Sequence, residues 1–123
     1  MEKLDLLIKQ FYMELGAGFI STDIVGLEDG LSIAGASIDS SFNSVDTSTH
    51  FSRAMRSAAL AFGKIGLGKT EENLTTTDKT YIIARFIGDG SYYWGVAASK
   101  ELPLPLLREI INRYAEKIKD VIF

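Results

Sequence analysis

Two Asp-Gly pairs constrain this chain more than any other feature. Asp29-Gly30 stands between a run rich in β-branched residues, Phe19 to Val25, and a second run, Leu31 to Ser37. Gly88-Asp89-Gly90-Ser91 stands between Tyr81 to Ile87 and Tyr92 to Ala98. Glycine supplies the positive φ that tight turns require, so short turns of this kind between strand-like runs are hairpin signals. Hairpins pair neighbours antiparallel, whereas a parallel sheet needs a helical crossover after each strand. The threonine-rich EENLTTTD, within residues 71–78, adds an expected edge strand.

Between these strands the periodicity changes to that of helices. Leu4, Leu7, Ile8, Phe11, Tyr12 and Leu15 share one face of a helix over residues 2–15, closed by Gly16 and Gly18. Residues 38–47 are mostly Ser, Asp, Asn and Thr and read as a surface loop, whose serines would be the place for any phosphorylation. Thr47, Ser48 or Thr49 then caps a second helix whose stripe of Phe51, Met55, Ala58, Phe62 and Ile65 is expected to face the sheet. Leu102-Pro103-Leu104-Pro105 starts a last helix, since proline is accepted in a first turn. Its broad apolar face runs through Leu106, Leu107, Ile110, Ile111, Tyr114, Ile118, Val121 and Ile122. The expected architecture is α+β, in the order α-β-β-α-β-β-β-α: a five-stranded antiparallel sheet with helices on both faces, as one domain over residues 1–123.

Composition removes several kinds of chemistry. With no cysteine there are no disulfides, thiolate metal sites or cysteine nucleophiles, and one histidine cannot make a histidine metal cluster. A net charge of −3, with acids and bases interspersed, gives no footprint for nucleic acid. Charges at Glu2, Lys3, Asp5, Lys9 and Glu14 interrupt the first helix, so neither a signal peptide nor a membrane insertion is expected, and the setting is read as cytoplasmic.

Residues Gly63 to Thr70, GKIGLGKT, match the phosphate-binding pattern G-x-x-x-x-G-K-[ST]. That loop works where a strand delivers the glycines and a helix leaves them, aiming its first N–H groups at phosphate. Here a helical stretch precedes the motif, and Glu71 and Glu72 follow it. The glycines are therefore expected to end a helix, and no nucleotide, metal or other cofactor is expected. His50 lacks a companion nucleophile in the sequence and reads as an exposed first-turn residue. Asp23, Glu28 and Asp29 lack the spacing of a calcium loop, and Asp29 is already explained by its turn. Tyr92, Tyr93 and Trp94 are expected to be largely core.

The second helix is the more informative element. Ser57, Ala59, Ala61 and Gly63 are small enough for another helix to approach closely. Its far face sets Leu60 among Arg53, Arg56 and Lys64, which reads equally as a contact anchor ringed by cations for an acidic partner and as a plain solvated face. The strand at 71–78, beside it, is an open edge suited to pairing with a copy of itself.

The order of elements over nearly the whole chain resembles the Roadblock/dynein light-chain superfamily. GAGFISTDIVGLEDGLSIAGAS is similar to that family's first hairpin, the second helix ends in GKIGLGK, and TYIIARFIGDGSYYWGVAAS leads into the last helix. The resemblance implies a homodimer formed through the second helix and third strand, with Ala59, Gly63, Leu74 and Thr76 at the interface. It also implies a non-enzymatic role: binding and regulating a small Ras-like GTPase, as bacterial gliding-motility members do. The GTPase would dock on Arg53, Arg56, Leu60 and Lys64. A structural adaptor without effect on GTP turnover, or a small-ligand sensor, are the alternatives. No catalytic residue carries over.

Overall fold

A computed structural model describes residues 2–39 and 44–123, and for residues 44–49 and 51 the backbone alone. Helix α1 (Glu2–Leu15) leads through one 3-10 turn into strands β1 (Phe19–Gly26) and β2 (Ser32–Ser37). Helix α2 (Ser44–Lys64) follows, then β3 (Glu72–Thr76), β4 (Thr80–Ile87), β5 (Tyr92–Ser99) and helix α3 (Leu104–Ile122). The order is the expected one, and every strand pairing is antiparallel. Across the sheet the strands run β2-β1-β5-β4-β3, so β1 and β5 meet at the centre and β2 and β3 are the edges.

Both Asp-Gly turns form as their chemistry requires. Asp29 accepts the Leu31 amide at 2.9 Å, and Gly30 takes a φ of 70°. In the other turn Gly88 sits at φ 61° with the Phe123 ring against it, where a Cβ would come within 2.4 Å of that ring. No side chain fits there on either count.

Alternation along each strand divides the side chains between two faces. Ile24, Ile83, Trp94 and Val96 point to the side covered by α1 and α3, where they meet Leu4, Ile8, Phe11, Leu107, Ile111, Tyr114 and Ile118. Phe11 contacts the Trp94 ring edge-on at 4.8 Å and the Tyr114 ring at 5.4 Å. Trp94 Nε1 donates to Thr22 Oγ1 at 2.7 Å, and that hydroxyl donates to Gly95 O at 2.8 Å, so the buried indole leaves no donor unpaired. Of the three successive aromatics, Tyr93 and Trp94 are buried on opposite faces and Tyr92 is half-buried.

On the opposite face the buried apolar residues, among those described, are Val25, Met55, Ala84 and Tyr93, with Leu27 and Phe86 packed against them. Among its described side chains, helix α2 (Ser44–Lys64) rests on the sheet through Ser52 and Met55, near its middle, and its contacts are chiefly with β1. Ser52 and Met55 are buried and Ala58 half-buried, but Phe62 is 45% and Ile65 is 65% exposed. The expected sheet-facing stripe is thus corrected at its C-terminal end; Phe51, its first member, has a side chain outside the described residues. At about 1.5 Å per residue, a 21-residue helix is longer than the part of the sheet beneath it.

Three boundaries also shift. Residues 40–43 lie outside the described residues, but Ser44 to Thr47 already belong to α2, so the loop is shorter than 38–47 and the helix begins before the expected caps at 47–49. Strand β3 is shorter than 71–78. The GKIGLGKT stretch is the end of α2 and the loop into an antiparallel edge strand, with Gly66 and Gly68 at φ 74° and 101°. Helix before and strand after is the reverse of a phosphate-binding loop.

Candidate partner-binding surface

On α2 the residues Arg53, Arg56, Leu60 and Lys64 recur at three- and four-residue intervals and form one stripe, and all are exposed. Leu60 is 61% exposed among these cations. Arg56 also serves the fold, since its Nη2 donates to the Leu27 carbonyl and ties α2 to the β1–β2 turn. His50 is exposed as expected, but it stands in the second turn of the same helix and not in its first.

Ala59 and Gly63 stand on the flank of α2 that faces this turn. With Leu27, Phe86, Asp89, Gly66, Gly68, Lys69 and Thr70 they line an open cleft of about 640 Å³. Two hydrogen bonds from Ser91, hydroxyl at 2.6 Å and amide at 3.0 Å, hold the Asp89 carboxyl below the usual carboxylate range. Nothing within 4 Å would meet a Cβ at Gly63, so the glycine is not needed for packing within this chain.

On the other side of the helix lie Phe62 and Ile65, and Leu67 follows at 71% exposed. These residues were missed as surface by sequence reasoning because helical periodicity shows that a stripe exists, not how far the sheet extends beneath it. The signal that finds them is the length of the helix. Leu60, Phe62, Ile65 and Leu67 thus fall within eight residues of the chain, all exposed.

Strand β3 completes this region. On the α2 face Asn73 Nδ2 donates to Met55 Sδ at 3.1 Å, which seats the helix over β3. On the α3 face Arg108 Nη1 bonds Glu72 Oε2 at 2.9 Å, and Arg85 approaches Glu72 Oε1 at 3.9 Å. Leu74, 38% exposed, and Thr76 share that face with Glu72. Of the expected interface residues, Leu74 and Thr76 sit together on the edge strand, while Ala59 and Gly63 lie in the cleft.

The remaining candidates are absorbed by the fold. Ser32 Oγ donates to the Asp23 carboxylate, and Asp29 is occupied by its turn. Ser52 Oγ donates to Tyr93 Oη at 3.4 Å, and burial pushes the phenol up from its ordinary value. Among the described residues no three His, Asp or Glu come together as a metal-holding group. Among the same residues no helix is long and apolar enough to cross a membrane.

No family model matches the sequence, and no curated protein matches it. Solved structures do match. MglB of Myxococcus xanthus superposes with a TM-score of 0.89 at 12% identity, over 98% of this chain and 94% of that one. A Roadblock/LC7 domain from Streptomyces avermitilis gives 0.82 at 16% identity, over 96% of each chain. The gliding protein MglB of Thermus thermophilus gives 0.82 at 10% identity, over 98% of this chain and 88% of that one. The chain has the Roadblock/LC7 fold.

Proposed function

We propose that this Roadblock-fold chain is a non-enzymatic, cytoplasmic regulator that self-associates and binds a small Ras-like GTPase. The observation that carries the reading is α2: a helix held to the sheet through Ser52, Met55 and Arg56, with Leu60, Phe62 and Ile65 exposed towards and just past its C-terminal end, near an open sheet edge. A monomer gains nothing from three large apolar side chains in water, each worth about 1.5–3 kcal/mol on full burial. A second copy placed edge to edge on β3 brings two α2 helices onto one face of a continuous sheet. The small residues of α2 let them approach, and the apolar cluster is covered.

The paired helices then present Arg53, Arg56, Leu60 and Lys64 twice, as a cationic platform with an apolar centre. The resemblance to gliding proteins supports a Ras-like GTPase as the occupant. If hydrolysis is stimulated, the expected route is positioning of the GTPase's own switch residues, with Arg53 and Arg56 the only α2 residues to test as a finger. Arg53 is the cleaner residue to test, since Arg56 also braces the Leu27 turn.

The immobilised protein is incubated with lysate of its own cells in a non-hydrolysable GTP analogue or in GDP. A small GTPase retained only with the analogue, and lost with Arg53→Ala and Leu60→Ala, supports the reading. No GTPase in either arm overturns it. An unchanged single-turnover hydrolysis rate in a formed complex selects the adaptor. The cleft beside Phe86 favours the ligand-sensing alternative, for which a large rise in melting temperature with a metabolite mixture is the readout.

A further inference from the structure

The hydrogen-bond parity of β3 fixes how two copies join, given the edge-to-edge self-association proposed above. Phe86 N donates to Glu71 O at 3.0 Å and Thr77 N to Thr80 O at 2.9 Å. With Asn73 opposite Ala84 and Thr75 opposite Ile82, these are the hydrogen-bonded pairs of the β3–β4 ladder. In an antiparallel ladder such pairs alternate with residues whose backbone groups point the other way. The N–H and C=O groups of Glu72, Leu74 and Thr76 are therefore directed away from β4, to the open edge.

A second copy adding its own β3 antiparallel must bond these residues to their counterparts. That excludes every register that opposes an outward residue to an inward one. Among the symmetric registers left, one opposes Glu72 to Glu72 of the second copy, two carboxylates facing each other. Another sets Leu74 against Glu72, an apolar side chain against a carboxylate already held by Arg108. A third sets Leu74 against Thr76 and leaves Glu72 facing the β3–β4 turn of the second copy, with no strand residue opposite it. A fourth, centred on Thr76, leaves both Glu72 and Leu74 without a strand partner. The remaining register opposes Leu74 to Leu74, and Glu72 to Thr76. It pairs every outward group of β3 and covers two half-exposed leucines with each other.

We infer that the self-association is a β3–β3 ladder with Leu74 on the two-fold axis, opposite Leu74 of the second copy. A hydrogen-bonded antiparallel pair has Cα atoms about 5.5 Å apart, within the range a disulfide spans. Residues displaced by two from one another are about 7–8 Å apart and bridge poorly.

The chain has no cysteine, so single substitutions read the register directly. Asn73→Cys, Leu74→Cys and Thr75→Cys are each oxidised with copper phenanthroline at a concentration where light scattering reports a dimer. Leu31→Cys, at the opposite edge of the sheet, gives the rate of random collision. Leu74→Cys is expected to cross-link well above that rate. Asn73→Cys and Thr75→Cys are expected to cross-link when mixed with each other and not alone. Self-cross-linking of Asn73→Cys or of Thr75→Cys instead overturns the register but leaves the edge pairing standing. A dimer that cross-links at none of these positions likewise overturns the register, and a monomeric wild type overturns the edge pairing itself.

Discussion

Two single residues test how this fold handles polarity. Thr22, 4% exposed, links β1 to β5 through its side chain: it accepts from the Trp94 indole and donates to Gly95 O. Thr22→Val keeps the shape and removes both bonds, leaving a buried N–H without an acceptor. The expected loss is about 1–3 kcal/mol of unfolding free energy, read by urea denaturation with Trp94 as the only tryptophan fluorophore. Glu14 tests the surface between α1 and α3. It receives hydrogen bonds from Arg113 and, at 3.1 Å, from Tyr114 Oη. The Arg113 guanidinium, above all, holds the Glu14 carboxyl below its usual range. A carboxyl depressed in the folded state adds stability that is complete above its unfolded pKa and disappears as pH falls through the folded value. Melting temperature should therefore drop on the acid side of about pH 4.5. Glu14→Gln should flatten that limb while changing little at neutral pH, since the pair is largely solvated. An acid limb identical in the variant would remove Glu14 from the account.

At the scale of elements, the hairpins were legible because their determinants are local. Asp29-Gly30 and Gly88 to Ser91 specify turns within four residues, and alternation assigns the flanking side chains to faces. Helix α2 was half legible. The periodicity of Met55, Ala58, Phe62 and Ile65 revealed a helix with an apolar stripe, but whether a sheet lies under that stripe is tertiary information. Its start was obscured because Ser44 to Thr47 are residues that serve loops and first helical turns equally well. How the two hairpins join was not legible, since nothing local makes β1 the neighbour of β5. Strand β3, read as an edge from its threonines, is one, and its exposure gives an element-scale test. Leu74→Pro removes an N–H that points outward, so the β3–β4 ladder keeps all its bonds. Thr75→Pro removes one that points inward. Leu74→Pro should remain folded by near-ultraviolet circular dichroism but become monomeric by light scattering. Thr75→Pro should lose stability as a monomer, by about 3 kcal/mol if the cost is like that in a helix. Equal damage from both would mean the backbone parity assigned to β3 is wrong.

For the whole molecule, the two faces of the sheet divide the work. Among the described residues, the α1/α3 side holds most of the buried apolar side chains. The α2 side holds fewer of them and leaves Leu60, Phe62, Ile65 and Leu67 exposed. If copies cover this face, folding and assembly are linked, and each tenfold rise in protein concentration adds about 1.4 kcal/mol to the dimer. The melting temperature should then climb steadily with concentration. Ile65→Asp provides the decisive comparison. At 65% exposure the side chain contributes little to the isolated fold, so the variant's melting temperature at high dilution should match that of the wild type. Its concentration dependence should vanish, because a carboxylate at a covered apolar contact must be desolvated without a partner. A wild type whose melting temperature ignores concentration over three decades would show that the exposed end of α2 serves another partner or none. A variant already destabilised at high dilution would show instead that Ile65 supports the fold itself.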